Sequence, residues 1–197
     1  MYNFLRKLVL KFFDLIYGVR VFGEENIPNK GAAILAANHV SYLDPILVCC
    51  CVQRPVHFMA KAELFKYPIL RQFFCKLNAF PVKRGMADRS AIRHSIDVLT
   101  QNKLLGIFPE GTRANVDEML PIQGGAALIA IKTGAPIIPI VVRGVADRRF
   151  RKPMTVIIGE PIRVEKQNKV SKEDVKNLTT KMKAQFDELL RKEYSII

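Results

Sequence analysis

Short apolar runs alternate with longer stretches of helical periodicity along most of the chain. That alternation limits the folds open to it. "AAILAAN" (32–38), "VHFMA" (56–60), "AFPV" (79–82), "LLGIF" (104–108), "PIIPIVV" (136–142) and "MTVIIG" (154–159) have strand length and turn-forming or polar neighbours. Residues 45–52, 68–77, 88–102 and 124–134 fall between them and read as helices, with Gly134 the expected stop of the last. The closing segment, 171–194, places Val175, Leu178, Met182, Phe186, Leu189 and Leu190 on one helical face. Ser171 and Asp174 there approximate a capping box. Strands separated by helices cannot pair through hairpins and call for crossovers. The predicted fold is therefore α/β: a single domain with a largely parallel central sheet flanked by helices. Such sheets bind ligands beyond the carboxyl ends of their strands.

The first twenty residues, "MYNFLRKLVLKFFDLIYGVR", form a predicted N-terminal amphipathic helix. Arg6, Lys7, Lys11 and Asp14 interrupt it too soon for a membrane span. No clean apolar stretch and small-residue site mark a cleaved signal. Met1, Phe4, Leu5, Leu8, Phe12, Leu15, Ile16 and Val19 share one face; Asn3, Lys7, Lys11, Asp14 and Gly18 lie opposite. Two environments would support that face: a membrane interface or the core of the domain. The expected division is residues 1–20 as a membrane-associating helix and 21–197 as the main domain.

Charge narrows the partners. The chain of 197 residues has 31 Lys and Arg against 18 acidic residues, a net +13. That favours an anionic partner: nucleic acid, an anionic bilayer or a phosphorylated substrate. Nucleic acid fits poorly, since Trp is absent and no zinc-finger, KH or RNP pattern occurs. Cys49, Cys50 and Cys51 are consecutive and cannot pair with one another, and no CxxC spacing includes Cys75. The thiols read as small buried side chains in a reducing compartment. His57 reads as core, and His94 lies in a helix with unremarkable neighbours.

Three polar clusters end three of the strands. In the first, Asn38 ends 32–38 and His39 follows it, with Ser41 as the expected helix N-cap, Asp44 three residues on and Pro45 an early helical residue. Histidine accepts a proton near neutral pH, and a carboxylate can pin its second ring nitrogen. Asp44 suits that role, or it simply stabilises the helix start. No G-x-S-x-G elbow or HExxH pattern accompanies them, and no carboxylate-rich metal cluster, so no metal is expected. In the second cluster, Lys83-Arg84-Gly85 can fork onto a phosphate or form a solvated turn. In the third, "FPEGTR" combines a tight turn at Gly111 with Thr112 and Arg113 as oxyanion ligands. Glu110 would repel a phosphate there unless it pairs with an arginine or binds a hydroxyl.

Taken together and in this order, the clusters resemble the glycerolipid acyltransferase family, which includes the 1-acylglycerol-3-phosphate O-acyltransferases. "NHVSYLD" is similar to the family's NHxSxxD block, "AFPVKRG" to its second and "FPEGTR" to its third. "APIIPIVV" (135–142) is similar to the fourth around Pro139. The resemblance spans roughly residues 20–165. It implies transfer of a fatty acyl group from coenzyme A or acyl carrier protein to a glycerolipid hydroxyl, most directly the sn-2 hydroxyl of lysophosphatidic acid, giving phosphatidic acid. Glycerol 3-phosphate, another lysolipid, or a non-catalytic lipid-binding role are the alternatives. By the resemblance His39 and Asp44 are catalytic. Asn38, Ser41, Lys83, Arg84, Glu110, Gly111, Thr112 and Arg113 bind substrate, and no cofactor is needed beyond the acyl donor. The family often has lysine where Gln123 stands, so one phosphate contact falls to Lys83 or Arg89 or is missing. The resemblance also implies peripheral or monotopic binding to the cytoplasmic face of the membrane through anionic lipids. Residues 1–20 and "RRFRK" (148–152) are the candidate contacts.

Overall fold

A computed structural model describes residues 2–83, 88–114, 120–145 and 153–193. Arg84, Gly85 and the basic run 148–152 lie outside the described residues. Each segment read as a strand or helix from the sequence is one. In chain order the helices are α1 (Tyr2–Tyr17), α2 (Asp44–Cys51), α3 (Pro68–Lys76), α4 (Arg89–Thr100), α5 (Gly125–Thr133) and α6 (Lys172–Glu193). The strands are β1 (Val19–Phe22), β2 (Ala33–Ala37), β3 (Val56–Lys61), β4 (Phe80–Val82), β5 (Leu104–Ile107), β6 (Ile137–Arg143) and β7 (Met154–Ile158). Short 3-10 turns at Glu24–Asn26 and Ala62–Lys66 complete the path.

One seven-stranded sheet runs β1-β7-β6-β2-β5-β3-β4. The pairs from β6 through β2, β5 and β3 to β4 are parallel, and so is β1 with β7. β7 pairs antiparallel with β6 because only the segment from Gly144 to Pro153 joins them, too short for a packed crossover. Strand β1 was not foreseen: Val19 and Arg20 were absorbed into the N-terminal helical pattern, and Val21 and Phe22 were assigned to no element. Gly18, in the left-handed region at φ 74°, ends α1, so Val19 belongs to the sheet and not to the helix face.

Side chains of the central strands divide by period two. Ala33, Leu35 and Ala37 of β2 join Leu104, Ile138, Ile140 and Val142 in one buried cluster, under α1 and α2. Ile34 and Ala36 join Leu105, Ile107, Ile137 and Val141 in the other, with residues of α4, α5 and α6. The stripe read from Val175 to Leu190 packs there. Ser171 and Asp174 form the capping box: the Asp174 carboxylate accepts the Ser171 amide at 2.9 Å, and Ser171 Oγ accepts the Asp174 amide at 3.0 Å.

Helix α1 has apolar residues both in the core and at the surface. Phe13 is buried, and Val9, Leu10 and Tyr17 pack against the β2 cluster. Phe4, Leu8, Phe12 and Leu15 form a second stripe that is well exposed. Arg6 reaches inward and donates to the Cys50 carbonyl at 2.8 Å, tying α1 to the end of α2. Among the described residues no helix is long and apolar enough to cross a membrane. Cys50 and Cys51 are buried as expected, and burial pushes their thiols up to about 11 and about 12. Cys75, by contrast, is exposed on α3. His57 is half-buried on β3, and burial lowers its pKa, with Lys103 and His94 adding to the effect.

A tight constraint on side-chain packing over the sheet falls at Gly106. A Cβ there would meet the Phe58 ring at 2.3 Å. Gly106→Ala therefore forces the ring aside and is expected to cost about 1–3 kcal/mol by overpacking. Thermal denaturation followed by circular dichroism reads this as a lowered midpoint; an unchanged midpoint contradicts the packing described.

Candidate active site

β2, β3, β4, β5 and β6 run in one direction, so their carboxyl ends share one edge of the sheet. The β2 and β5 ends are neighbours, and the loops leaving them build the site.

Asn38 is the last residue to follow the sheet. Its side-chain Nδ2 donates to the Val142 carbonyl at 3.1 Å, and its Oδ1 accepts the Val142 amide at 2.7 Å. The side chain thus continues the β2–β6 ladder while the backbone turns away. His39 follows with its ring buried. Its Nδ1 lies 2.9 Å from Asp44 Oδ2. The same Oδ2 accepts the Val40 and Ser41 amides, each at 2.7 Å. Asp44 is wholly inaccessible, and its Oδ1 has no hydrogen bond among the described residues.

This geometry corrects one expectation. Ser41 does not cap α2; the N-cap position is Leu43, in helical conformation and without a side-chain cap. The roles are reversed, because Asp44 reaches back and takes the amides of the turn. Ser41 Oγ instead accepts the Leu43 amide at 3.3 Å. Pro45 sits in the first helical turn, as expected.

A carboxylate only accepts, so in the neutral imidazole the tautomer that this contact favours has its proton on Nδ1 and a lone pair on Nε2. No hydrogen bond occupies Nε2 among the described residues. The ring plane is fixed from a second direction. The imidazole stacks on Phe108, with centroids 4.1 Å apart and planes at 22°. Phe108 in turn stacks on Phe58 at 5.4 Å. Phe58 occupies the space that Gly106 leaves open.

The loop after β5 is tied to the same turn. Glu110 is buried. Its Oε1 accepts the His39 amide at 3.0 Å, and its Oε2 accepts the Leu120 amide at 3.1 Å. The Ala114 amide donates to the His39 carbonyl at 2.8 Å. Burial raises the Glu110 pKa, opposed by the amides of His39 and Leu120 and the charge on His39. Gly111 has φ 71°, and a Cβ there would lie 2.5 Å from the Gln123 side chain. Gln123 Nε2 donates to the Glu110 carbonyl at 3.2 Å, closing the loop on itself. Arg113 lies on the outer side, where Nη2 donates to Tyr42 Oη at 2.8 Å and Cζ sits 3.5 Å from the Tyr42 ring centroid.

The structure therefore brings together Asn38, His39, Ser41, Asp44, Glu110, Gly111 and Arg113. Thr112 is exposed on the same loop. Lys83 stands apart: β4 is three places from β2, roughly 14 Å at about 4.8 Å per strand. The Asp88 carboxylate accepts the Lys83 amide at 2.9 Å, and the Lys83 side chain is exposed. Asn38, Ser41, Glu110 and Gln123 spend polar groups on the chain itself. Sequence reasoning missed Phe108 and Tyr42. Phe108 reads from the sequence as the end of a strand, and Tyr42 has no assigned role in the first motif. The signal for both was their adjacency to motif residues, but only the fold shows that the two loops meet.

Comparison with known proteins places the chain by family. The acyltransferase family profile matches residues 18–143, and a diacylglycerol acyltransferase profile matches residues 144–195. A 1-acyl-sn-glycerol-3-phosphate acyltransferase of Bacillus subtilis is 35% identical over 166 residues, covering 82% of each chain. One from Streptococcus pneumoniae is 30% identical over 195 residues, covering 95% of this chain and 72% of its own. The crystal structure of the 1-acyl-sn-glycerophosphate (LPA) acyltransferase PlsC from Thermotoga maritima has a TM-score of 0.75 at 27% identity. It covers 98% of this chain and 78% of its own.

The raised pKa of Glu110 has a measurable consequence. The folded chain holds that proton more tightly than the unfolded chain. The stability of the wild type relative to Glu110→Gln is therefore greatest below the ordinary glutamate value. It falls as pH rises through the raised one. Chemical denaturation of both proteins from about pH 4 to 8 checks this. A difference that grows in favour of the wild type with rising pH contradicts it.

Proposed function

The chain belongs to the acyltransferase family, and on that premise we propose that His39, oriented by Asp44, deprotonates the sn-2 hydroxyl of 1-acylglycerol 3-phosphate. The enzyme is a 1-acylglycerol-3-phosphate O-acyltransferase of phospholipid biosynthesis, and its product is phosphatidic acid. The observation that carries the mechanism is the 2.9 Å contact of His39 Nδ1 with Asp44, with no hydrogen bond to Nε2 among the described residues.

The acceptor oxygen attacks the thioester carbonyl as its proton passes to His39 Nε2. The resulting imidazolium is stabilised by Asp44. Collapse of the tetrahedral intermediate breaks the carbon–sulfur bond, and the departing thiolate of coenzyme A or acyl carrier protein recovers the proton from His39. No acyl-enzyme is required. General-base assistance of this kind contributes about two to four powers of ten. Positioning supplies much of the remainder.

Arg113 and Thr112 hold the acceptor phosphate, with Lys83 and Arg84 as further contacts from the β4 side. Asn38, Ser41, Glu110 and Gly111 serve the substrate by fixing the loops, since their polar groups or backbone are engaged within the chain. Gln123 does the same in place of the lysine expected there. Binding to the membrane is peripheral, on its cytoplasmic face. Residues 1–20 supply the exposed stripe of Phe4, Leu8, Phe12 and Leu15, and 21–197 form the acyltransferase domain. The net charge of +13 adds attraction to anionic lipids, about 1 kcal/mol per basic residue near the surface.

Two measurements test this reading. Labelled acyl-CoA or acyl-acyl carrier protein is offered with lysophosphatidate, glycerol 3-phosphate and a neutral lysolipid. Phosphatidic acid is the expected major product; product from only one of the other acceptors overturns the assignment. Flotation on anionic liposomes tests the helix. Leu8→Gln with Phe12→Gln removes apolar surface worth about 1.5–3 kcal/mol per side chain if fully buried in the interface. Both residues are exposed, so the fold is kept while binding falls at least tenfold. Binding equal to that of the wild type removes α1 from the membrane contact.

A further inference from the structure

Tyr42 is a side chain of the β2–α2 turn with no part in the reaction so far. The residue is 69% exposed, so it does not belong to the core. Its backbone is held on both sides, by the Ser41 amide on Asp44 Oδ2 and the Leu43 amide on Ser41 Oγ. The ring is thus carried by the same turn that fixes the His39–Asp44 pair. Across it lies the Arg113 guanidinium, 3.5 Å from the centroid and bonded to Oη at 2.8 Å.

We propose that Tyr42 is a positioning residue for the acceptor's phosphate, holding Arg113 at a fixed distance from His39 without neutralising it. The proposal rests on the acyltransferase reading above. An arginine can be held in place in two ways. A carboxylate would fix it but cancel its charge and occupy its fork. An aromatic face with one hydroxyl fixes the plane and leaves the charge for a ligand. Here one of five N–H groups goes to Tyr42. Among the described residues no carboxylate pairs with Arg113. In the acceptor the reacting hydroxyl and the phosphate-bearing oxygen are on adjacent carbons, so the span between base and phosphate anchor is short. A turn that carries both the base and the platform for the anchor sets that span directly. The buried side of the same loop is already fixed by Glu110 on the His39 amide. Tyr42 fixes the exposed side.

The test compares Tyr42→Leu and Tyr42→Phe with the wild type, using lysophosphatidate and a lysolipid without a phosphomonoester. Tyr42→Leu is expected to raise KM for lysophosphatidate about tenfold, with kcat within about twofold, since binding and not proton transfer is loosened. The other acceptor and the thioester donor keep their KM. Tyr42→Phe retains the stacking and falls between. In an Arg113→Leu background, Tyr42→Leu adds nothing further. An unchanged lysophosphatidate KM in Tyr42→Leu, an equal loss with both acceptors, or full additivity with Arg113→Leu overturns the proposal. Should the wild type acylate no lysolipid, the acyltransferase reading fails. Thermal shift with glycerol 3-phosphate then decides Tyr42 alone. A shift lost in Tyr42→Leu supports the role; equal shifts, or none in either protein, overturn it.

Discussion

One carboxylate oxygen organises the catalytic edge of this protein. Asp44 Oδ2 receives the ring nitrogen of His39 and the amides of Val40 and Ser41, all within 2.9 Å. A buried carboxylate is costly unless hydrogen bonds replace its lost water. Three donors meet at one atom, and Asp44 stands in the first turn of α2, where the helix dipole also favours negative charge. The turn must bend back sharply to deliver those donors. It can do so because β2 lies at the centre of the sheet, wholly buried, and Asn38 ends it by grafting its amide onto Val142. Strand, turn and helix are therefore a single device for presenting Nε2 of His39.

The second loop is shaped around that device. Glu110 receives the His39 amide, Ala114 donates to the His39 carbonyl, and Phe108 lies flat against the imidazole. The motif that carries Arg113 toward solvent is thus the one that clamps the base from below. Its charged residues do different work according to the side they face. Glu110 faces inward and holds backbone, while Arg113 faces outward and rests on Tyr42.

Much of this was legible in the sequence. The strand runs and their helical spacers give a sheet whose carboxyl ends bring the first and third clusters together, and the apolar stripe of α6 packs as its spacing implied. The 3.6-residue pattern of α1 was read correctly as amphipathic but as one face. Phe4, Leu8, Phe12 and Leu15 of that face are exposed, while Val9, Leu10, Phe13 and Tyr17, which were not placed on it, pack inward. Strand β1 escaped notice because four residues following a helix have no periodicity of their own; partnership with β7, more than a hundred residues on, makes them a strand. Local rules favoured Ser41 as a cap, but the demand of a buried carboxylate for donors won. The sequence likewise cannot distinguish a polar side chain that meets substrate from one consumed by the fold. Asn38, Glu110 and Gln123 look alike in that respect until Val142, Leu120 and Gly111 are placed beside them.

The central claim is that Asp44 acts on the reaction through His39. A double-mutant cycle in the rate of acyl transfer to lysophosphatidate tests it most directly, with His39→Gln, Asp44→Asn and the double variant each verified as folded. Loss of the base is expected to lower kcat by about two to four powers of ten. The double variant is expected to be no slower than His39→Gln alone, because the carboxylate has nothing left to orient. Losses that simply multiply, or turnover like that of the wild type in His39→Gln, would contradict the account.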